Sequence, residues 1–285
     1  MENKFINIGV KLYTKELCKH GMILGSSGSG KSTSLLSIIE GLYHIDDLPN
    51  IQVVFDAKGD LNKIRGNYQE ANIYLYELNK NWNPDFNGGT PIKMKLGLLP
   101  LDVFMQLLQI ELVQSNILHT LLKIIDWVDI LNPAELLHYL DVCKDEMYNH
   151  IEINQRSYTA LINKIIGFNI KYSEYFYDID KKDNYISCID NLSVCKDQIV
   201  KNNENLIIIV NVNSIINDKL LYQLFSVYVI SQIEKTYKKE TKNLQCSLYI
   251  DEAHLLFNDS LDSIKSSLNN SILFCNTFKA GLAFR

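Results

Sequence analysis

No apolar run in this 285-residue sequence comes near the roughly 20 residues that a membrane-spanning helix needs; stretches such as Leu206 to Val210 and Val227 to Ile230 are far shorter. The N-terminus, MENKFINIGVKLY, has neither a long apolar segment nor a small-residue cleavage site, so it does not read as a signal peptide. The expected location is therefore the cytoplasm, with no membrane partner. Cys18, Cys143, Cys188, Cys195, Cys246 and Cys275 are scattered, with no C-x-x-C pair and no histidine pair at ligand spacing. That argues against a zinc site or a disulfide framework and leaves reduced core thiols. Positive charge is also in short supply. A net charge of -5 and a pI near 5.7 argue against a wholly basic nucleic-acid surface. A local basic patch, or a basic ring in an assembly, stays open. What the sequence does have is 47% hydrophobic residues, enough for a full core without staples.

Short β-type runs recur at Met22 to Leu24, Ile51 to Phe55, Ile73 to Leu78, Leu206 to Val212 and Cys246 to Ile250. Several are nearly continuous apolar runs, as in strands buried on both faces of a mainly parallel sheet. Helical spacing follows the Gly-rich segment through Leu35, Ile38, Ile39 and Leu42. It runs again from Leu107 to Leu122 and from Leu220 to Ile233. Alternating strands and helices predict an α/β, doubly wound core. Residues 98–168 read as nearly all helix, and Asn169 to Asn205 is polar and without clear periodicity; together they form a mainly helical insertion. The predicted organisation is an N-terminal part of the core at 1–97, the insertion at 98–205 and a C-terminal part of the core at 206–285. Asn79 to Lys95 has the Gly, Pro and Asn content of an irregular connector.

The chemistry is concentrated at three strand ends. Gly25-Ser26-Ser27-Gly28-Ser29-Gly30-Lys31-Ser32, followed by Thr33, satisfies G-x-x-x-x-G-K-[ST] in full, with an apolar strand before it and an apolar helix after it. That context favours a P-loop over a Ser/Gly linker. Its amides and helix N-terminus would face the phosphates of ATP, Lys31 would reach the β- and γ-phosphates, and Ser32 would ligate Mg²⁺. Asp251 and Glu252 end a second strand, fitting a Walker B magnesium ligand and a water-activating base. An acidic helix start is the plainer alternative for that pair. Asp56 ends a third strand, where a parallel sheet presents its ligand groups; a turn at Gly59 with Asp60 capping a helix competes with that role. Neither His20 nor His254 has a second ligand nearby. Lys235, Lys238, Lys239 and Lys242 read as a solvated helix end.

Asp251 to His254 spells D-E-A-H, but about two hundred residues separate it from the P-loop and no second motor domain follows, which excludes a superfamily-two helicase. Instead "KHGMILGSSGSGKST", "VVFDAKGDL", "LIIIVNVNSIINDKLLYQLF" and "LYIDEAHLLFND" resemble, in that order and spacing, the HerA/FtsK superfamily, and in particular the bacterial HerA-like ATPases whose domain is described as helicase HerA-like, C-terminal. The similarity runs from about Lys19 to Phe284.

The resemblance implies a RecA-like P-loop NTPase core, a homo-oligomeric and usually hexameric ring, and ATP-driven translocation or processing of double-stranded DNA. A nuclease partner is implied for archaeal relatives. It places Lys31 and Ser32 in Walker A, Asp251 and Glu252 in Walker B, and Asp56 in the motif after the second core strand. Family members continue past the strand that begins here near Lys279, toward a polar sensor beside the γ-phosphate. This sequence ends at Arg285, so a truncated C-terminus is expected. Only Arg65, Arg156 and Arg285 are available as an arginine finger, and Arg156 is the candidate. Two functions follow as expectations: a Mg-dependent ATPase motor on DNA, or a catalytically weak nucleotide-binding protein acting through protein interactions.

Overall fold

The computed structural model describes residues 5–7, 11–13, 21–23, 29–44, 50–59, 73–78, 90–178, 205–237, 245–251 and 278–283. Nine strands are described: β1 Phe5–Asn7, β2 Lys11–Tyr13, β3 Gly21–Ile23, β4 Asn50–Asp56, β5 Ile73–Glu77, β6 Thr90–Pro91, β7 Leu206–Asn211, β8 Gln245–Ile250 and β9 Phe278–Ala283. β1 and β2 pair antiparallel, a small hairpin that sequence periodicity does not reveal. The other seven form one sheet in the order β3-β9-β8-β4-β7-β5-β6, and every pair in it is parallel. The apolar runs thus belong to strands covered on both faces, as expected.

Helix α1, Lys31–Tyr43, joins β3 to β4. A later helix, whose label follows those of the insertion, spans Lys219–Tyr237 and joins β7 to β8 in the opposite direction across the sheet. Right-handed crossovers therefore place these two helices on opposite faces. Side-chain burial agrees. Ile51, Val53, Phe55, Leu206, Ile208, Val210, Leu248 and Ile250 join one apolar cluster with the later helix. Between them in sequence, Gln52 turns the other way and donates Nε2 to the Ile39 carbonyl of α1 at 2.9 Å.

The insertion holds α2 Leu101–Leu107, α3 Leu112–Leu121, α4 Pro133–Val142, α5 Lys144–Tyr148 and α6 Gln155–Tyr172; the later helix is therefore α7. The continuous helical period expected from Leu107 to Leu122 is broken. The chain turns at Gln109, whose φ is +49°, and α3 restarts with the Glu111 amide donating to Gln114 Oε1 at 3.1 Å. Apolar spacing persists across that turn because both helices bury the same side, so periodicity alone misses the break. The expected connector at 79–95 also ends differently. Thr90–Pro91 adds an edge strand to β5, and Met94 bridges Phe176. The two ends of the helical segment therefore meet at its base.

At the centre of the insertion, fully buried Phe104 lies 5.4 Å from the Trp127 ring and 5.6 Å from Phe168, centroid to centroid. The Trp127 indole donates to the Leu99 carbonyl at 2.8 Å and the Tyr158 hydroxyl to Leu140 at 2.8 Å, so both large aromatics have their polar atoms satisfied. The insertion docks on α7, of which every residue from Leu221 to Gln232 is buried. Gln232 donates to the Leu98 carbonyl at 2.7 Å, and the Lys95 amide donates to the Tyr228 hydroxyl at 3.3 Å. At the other end of α7, the Lys171 ammonium lies 2.9 Å from Asp218, and the Tyr172 hydroxyl donates to the same carboxylate at 3.2 Å. One hydrophobic cluster thus runs from the sheet through α7 into the insertion.

Candidate functional site

Ser29, Gly30, Lys31, Ser32, Thr33, Asp56, Asp251 and Arg156 lie within the described residues. Gly25, Ser26, Ser27, Gly28 and Glu252 lie outside them, as do Asp60, His20 and His254. The Gly-rich segment begins just after the carboxyl end of β3 and delivers the chain to α1. Gly30 stands at the helix N-cap with φ +86°, a left-handed conformation that a side chain would strain. The first intrahelical bond runs from Ser34 N to the Gly30 carbonyl at 2.9 Å, so the amides of Ser32 and Thr33 point beyond the helix end.

This helix start is unfavourable by itself. It has no side-chain cap and no acidic residue in its first turn, and Lys31 sets a cation at the positive end of the helix dipole. A like charge there costs about 0.3–1 kcal/mol, and an anion in front of the helix reverses the sign. The residues therefore fit a phosphate.

Across the sheet, the carboxyl ends carry the complementary groups. Gln52 faces α1, so by alternation Val54 and Asp56 face it too. Parallel register matches Asp56 with Asn211 on β7. The pairing of Phe55 with Ile250, with the Asp251 amide donating to the Phe55 carbonyl at 3.1 Å, brings Asp251 beside Asp56 on the other side. Asp251, Asp56 and Asn211 therefore form one row on the α1 face, with neighbouring backbones about 5 Å apart. Asp56 is fully buried and Asp251 is 7% exposed. Two buried carboxylates side by side suit a hard divalent cation with oxygen ligands such as Mg²⁺. Among the described residues no group of three or more His, Cys, Asp or Glu side chains that could hold a metal ion occurs.

The strand order adds a further fact. β9 lies between β3 and β8, so the P-loop strand and the Asp251 strand are not neighbours. A nucleotide held in front of α1 would span the gap over β9, at the point where connections leave the sheet in two directions.

Asp56 also takes part in the turn at Gly59 that competes with its site role. Its Oδ1 accepts the amides of Lys58 at 3.2 Å and Gly59 at 2.8 Å, closing a turn in which Gly59 has φ +76°. Asn211 and Asn213 are the site-edge residues that sequence reasoning missed. A polar residue ending LIIIVN looks like any turn former, and only the register with Asp56 shows where it stands. Arg156 is exposed in the first turn of α6, in the insertion, where its own amide is taken by the Asn154 cap at 2.9 Å. Among the described residues no helix is long and apolar enough to cross a membrane.

Comparison with known proteins agrees with this architecture. The bacterial conjugative coupling protein TrwBdeltaN70, in its unbound monoclinic form, superposes with a TM-score of 0.60 and 16% identity, over 99% of this chain and 66% of that one. TrwB with the non-hydrolysable ATP analogue ADPNP gives 0.60 and 15% over 99% and 68%, and TrwB with ADP and Mg²⁺ gives 0.60 and 16% over 100% and 67%. The chain thus spans about two thirds of the length of these proteins and shares their RecA-like P-loop NTPase fold. No curated protein matches the sequence. Residues 3–233 match the family described as Helicase HerA, central domain. The expected HerA/FtsK kinship is therefore borne out, with the match falling on the central-domain description. On that span, most of its length, the chain belongs to the HerA central-domain family of P-loop ATPases.

Proposed function

We propose that this chain binds Mg-ATP at the carboxyl edge of its sheet and hydrolyses it, coupling turnover to translocation along double-stranded DNA. The observation that carries this reading is the uncapped, cationic start of α1 on the same face of the sheet as buried Asp56 and Asp251. Lys31 binds the β- and γ-phosphates, and the amides beyond Gly30 orient them. Ser32 and Asp251 would hold Mg²⁺, which supplies positive charge against the phosphate oxygens when bound. Glu252, next in sequence to Asp251, takes a proton from the attacking water as the bond from the γ-phosphorus to the bridging oxygen breaks, giving ADP and phosphate. Asp56 fixes the far wall of the site.

In this reading residues 1–97 and 206–285 form the ATPase core, with the insertion at 98–205 between them. Exposed Arg156 suits a finger presented to a neighbouring subunit of a homo-oligomeric ring. Family resemblance supports that ring, the DNA substrate and work alongside a nuclease. The test is the steady-state rate of ATP hydrolysis with and without double-stranded DNA, using Lys31→Ala as the blank. A DNA-stimulated rate that is lost in Lys31→Ala and in Glu252→Gln is expected. Tight nucleotide binding with no turnover above the blank would overturn the motor reading in favour of a nucleotide-binding protein.

A further inference from the structure

The loop after β7 reaches back over the site. Asn213 donates Nδ2 to the Lys58 carbonyl at 3.1 Å, while its own amide donates to Asn211 Oδ1 at 3.0 Å. The Val212 amide donates to the Asp56 carbonyl at 3.0 Å, so the two strand ends are already in register where the loop begins. Lys58 and Gly59 are the residues whose amides grip the Asp56 carboxylate. A side chain on Gly59 would place its first carbon 3.4 Å from Asn213 Nδ2, so the loop sits directly on this turn. Four hydrogen bonds thus connect the two strand ends: Asn213 donates to Asn211 and to the Lys58 carbonyl, and the Lys58 and Gly59 amides donate to Asp56.

We propose that Asn213 is a positioning residue for Asp56. By holding the Lys58 carbonyl it fixes the turn that aims the Asp56 carboxylate beside Asp251. Asn211 orients Asn213 in turn. This inference rests on the ATPase reading for its effect on rate, and on the geometry of the turn alone for its structural part. A displacement of about 1 Å in a catalytic site costs up to ~100-fold in rate. Asp56 stands at the wall of the site, so a smaller loss, about tenfold in kcat with the KM for ATP within about twofold, is expected for Asn213→Ala. Asn213→Asp keeps the shape and removes the donor, and is expected to match it.

The decisive measurement combines kinetics with amide exchange. In an Asp56→Asn background the turn keeps its acceptor and loses its charge, so adding Asn213→Ala is expected to leave kcat unchanged. Multiplicative losses, or full activity in Asn213→Asp, would overturn the proposal. Hydrogen exchange on the nucleotide-free chain is expected to show the Lys58 and Gly59 amides about tenfold faster in both Asn213 variants, with Val53 to Phe55 unchanged. Unaltered exchange at Lys58 and Gly59 overturns the positioning role whatever the kinetics show. If the wild-type rate does not exceed that of Lys31→Ala, the ATPase reading fails, and the exchange experiment alone decides for or against Asn213.

Discussion

Helices α4 and α6 of the insertion start on Asn132 and Asn154, whose side chains accept the amides of Glu135 and of Arg156 and Ser157. The short helices α2 and α5 carry Asp102, or Asp145 and Glu146, in their first turns. Helix α1 of the core has neither a cap nor an acid, and starts on left-handed Gly30 followed by Lys31. The insertion helices neutralise their own positive ends, whereas α1 leaves its end for a ligand. Charge divides along the same line. Residues 98–205 hold 16 acidic and 9 basic residues, while the rest of the chain holds 17 acidic and 19 basic. The acidic balance of the whole chain therefore resides in the insertion, and phosphate-bearing partners meet least repulsion at the core. A net charge taken over the full sequence hides this division.

The division is testable from both sides. The largest effect belongs to the interior of the insertion. Phe104→Ala should cost ~3–5 kcal/mol in urea denaturation, with nucleotide affinity kept under conditions where the variant is folded. Loss of affinity in the folded variant would show that the insertion shapes the site. Next, Lys31→Ala should weaken nucleotide binding by about 100-fold, or about 2.7 kcal/mol. The nucleotide-free stability of that variant should stay within ~0.5 kcal/mol of wild type, because the cation it removes opposes the helix dipole. Isothermal titration and thermal unfolding would report the two quantities separately. Asn154→Ala should behave in reverse, losing about 1 kcal/mol of stability with unchanged nucleotide affinity.

The smallest effect concerns the joint between the two regions. Hydrogen bonds that the Lys171 ammonium donates to the Tyr172 oxygen and to Asp218 raise its pKa. Burial pushes Asp218 upward, yet the Lys171 ammonium and the Leu221 amide outweigh it and leave the carboxyl below its ordinary 3.8. The pair contributes at most about 1 kcal/mol, because Lys171 is largely exposed. For Asp218 the folded pKa is lowered, so its contribution is full above the unfolded value and disappears as pH falls through the folded one. For Lys171 the folded pKa is raised, so its contribution is full below 10.5 and disappears as pH rises beyond it. Lys171→Met should therefore be slightly less stable than wild type near neutrality and indistinguishable from it in strong acid or alkali.

The core strands were legible in the sequence because burial on both faces leaves IQVVF and LIIIV almost free of polar residues. The start of α1 was legible because its signal is local, running from Gly30 through Lys31 into the apolar helix. The order of the strands was not, since the pairing of β3 with β9 joins residues at opposite ends of the sequence. The row from Asp251 to Asn211 was hidden likewise, because β4 pairs with β7 and β8 across long separations in sequence. Asp56 stood out as a polar strand end, but its grip on the Lys58 and Gly59 amides depends on a turn whose glycine has φ +76°. Asn213 offered no signal at all, because its hydrogen bond crosses 155 positions of sequence.

The pairing of β3 with β9 also bears on how the molecule is made. Among the described strands, β3 sits at one edge of the sheet and its only neighbour there is β9. During synthesis β3 emerges well before β9, the described strand that completes its backbone ladder. The other strands from β4 to β8 can associate earlier, around the α7 layer. A nascent chain that has not yet reached β9 can therefore hold α1 against β4, as Gln52 does through Ile39, while β3 still lacks its backbone ladder.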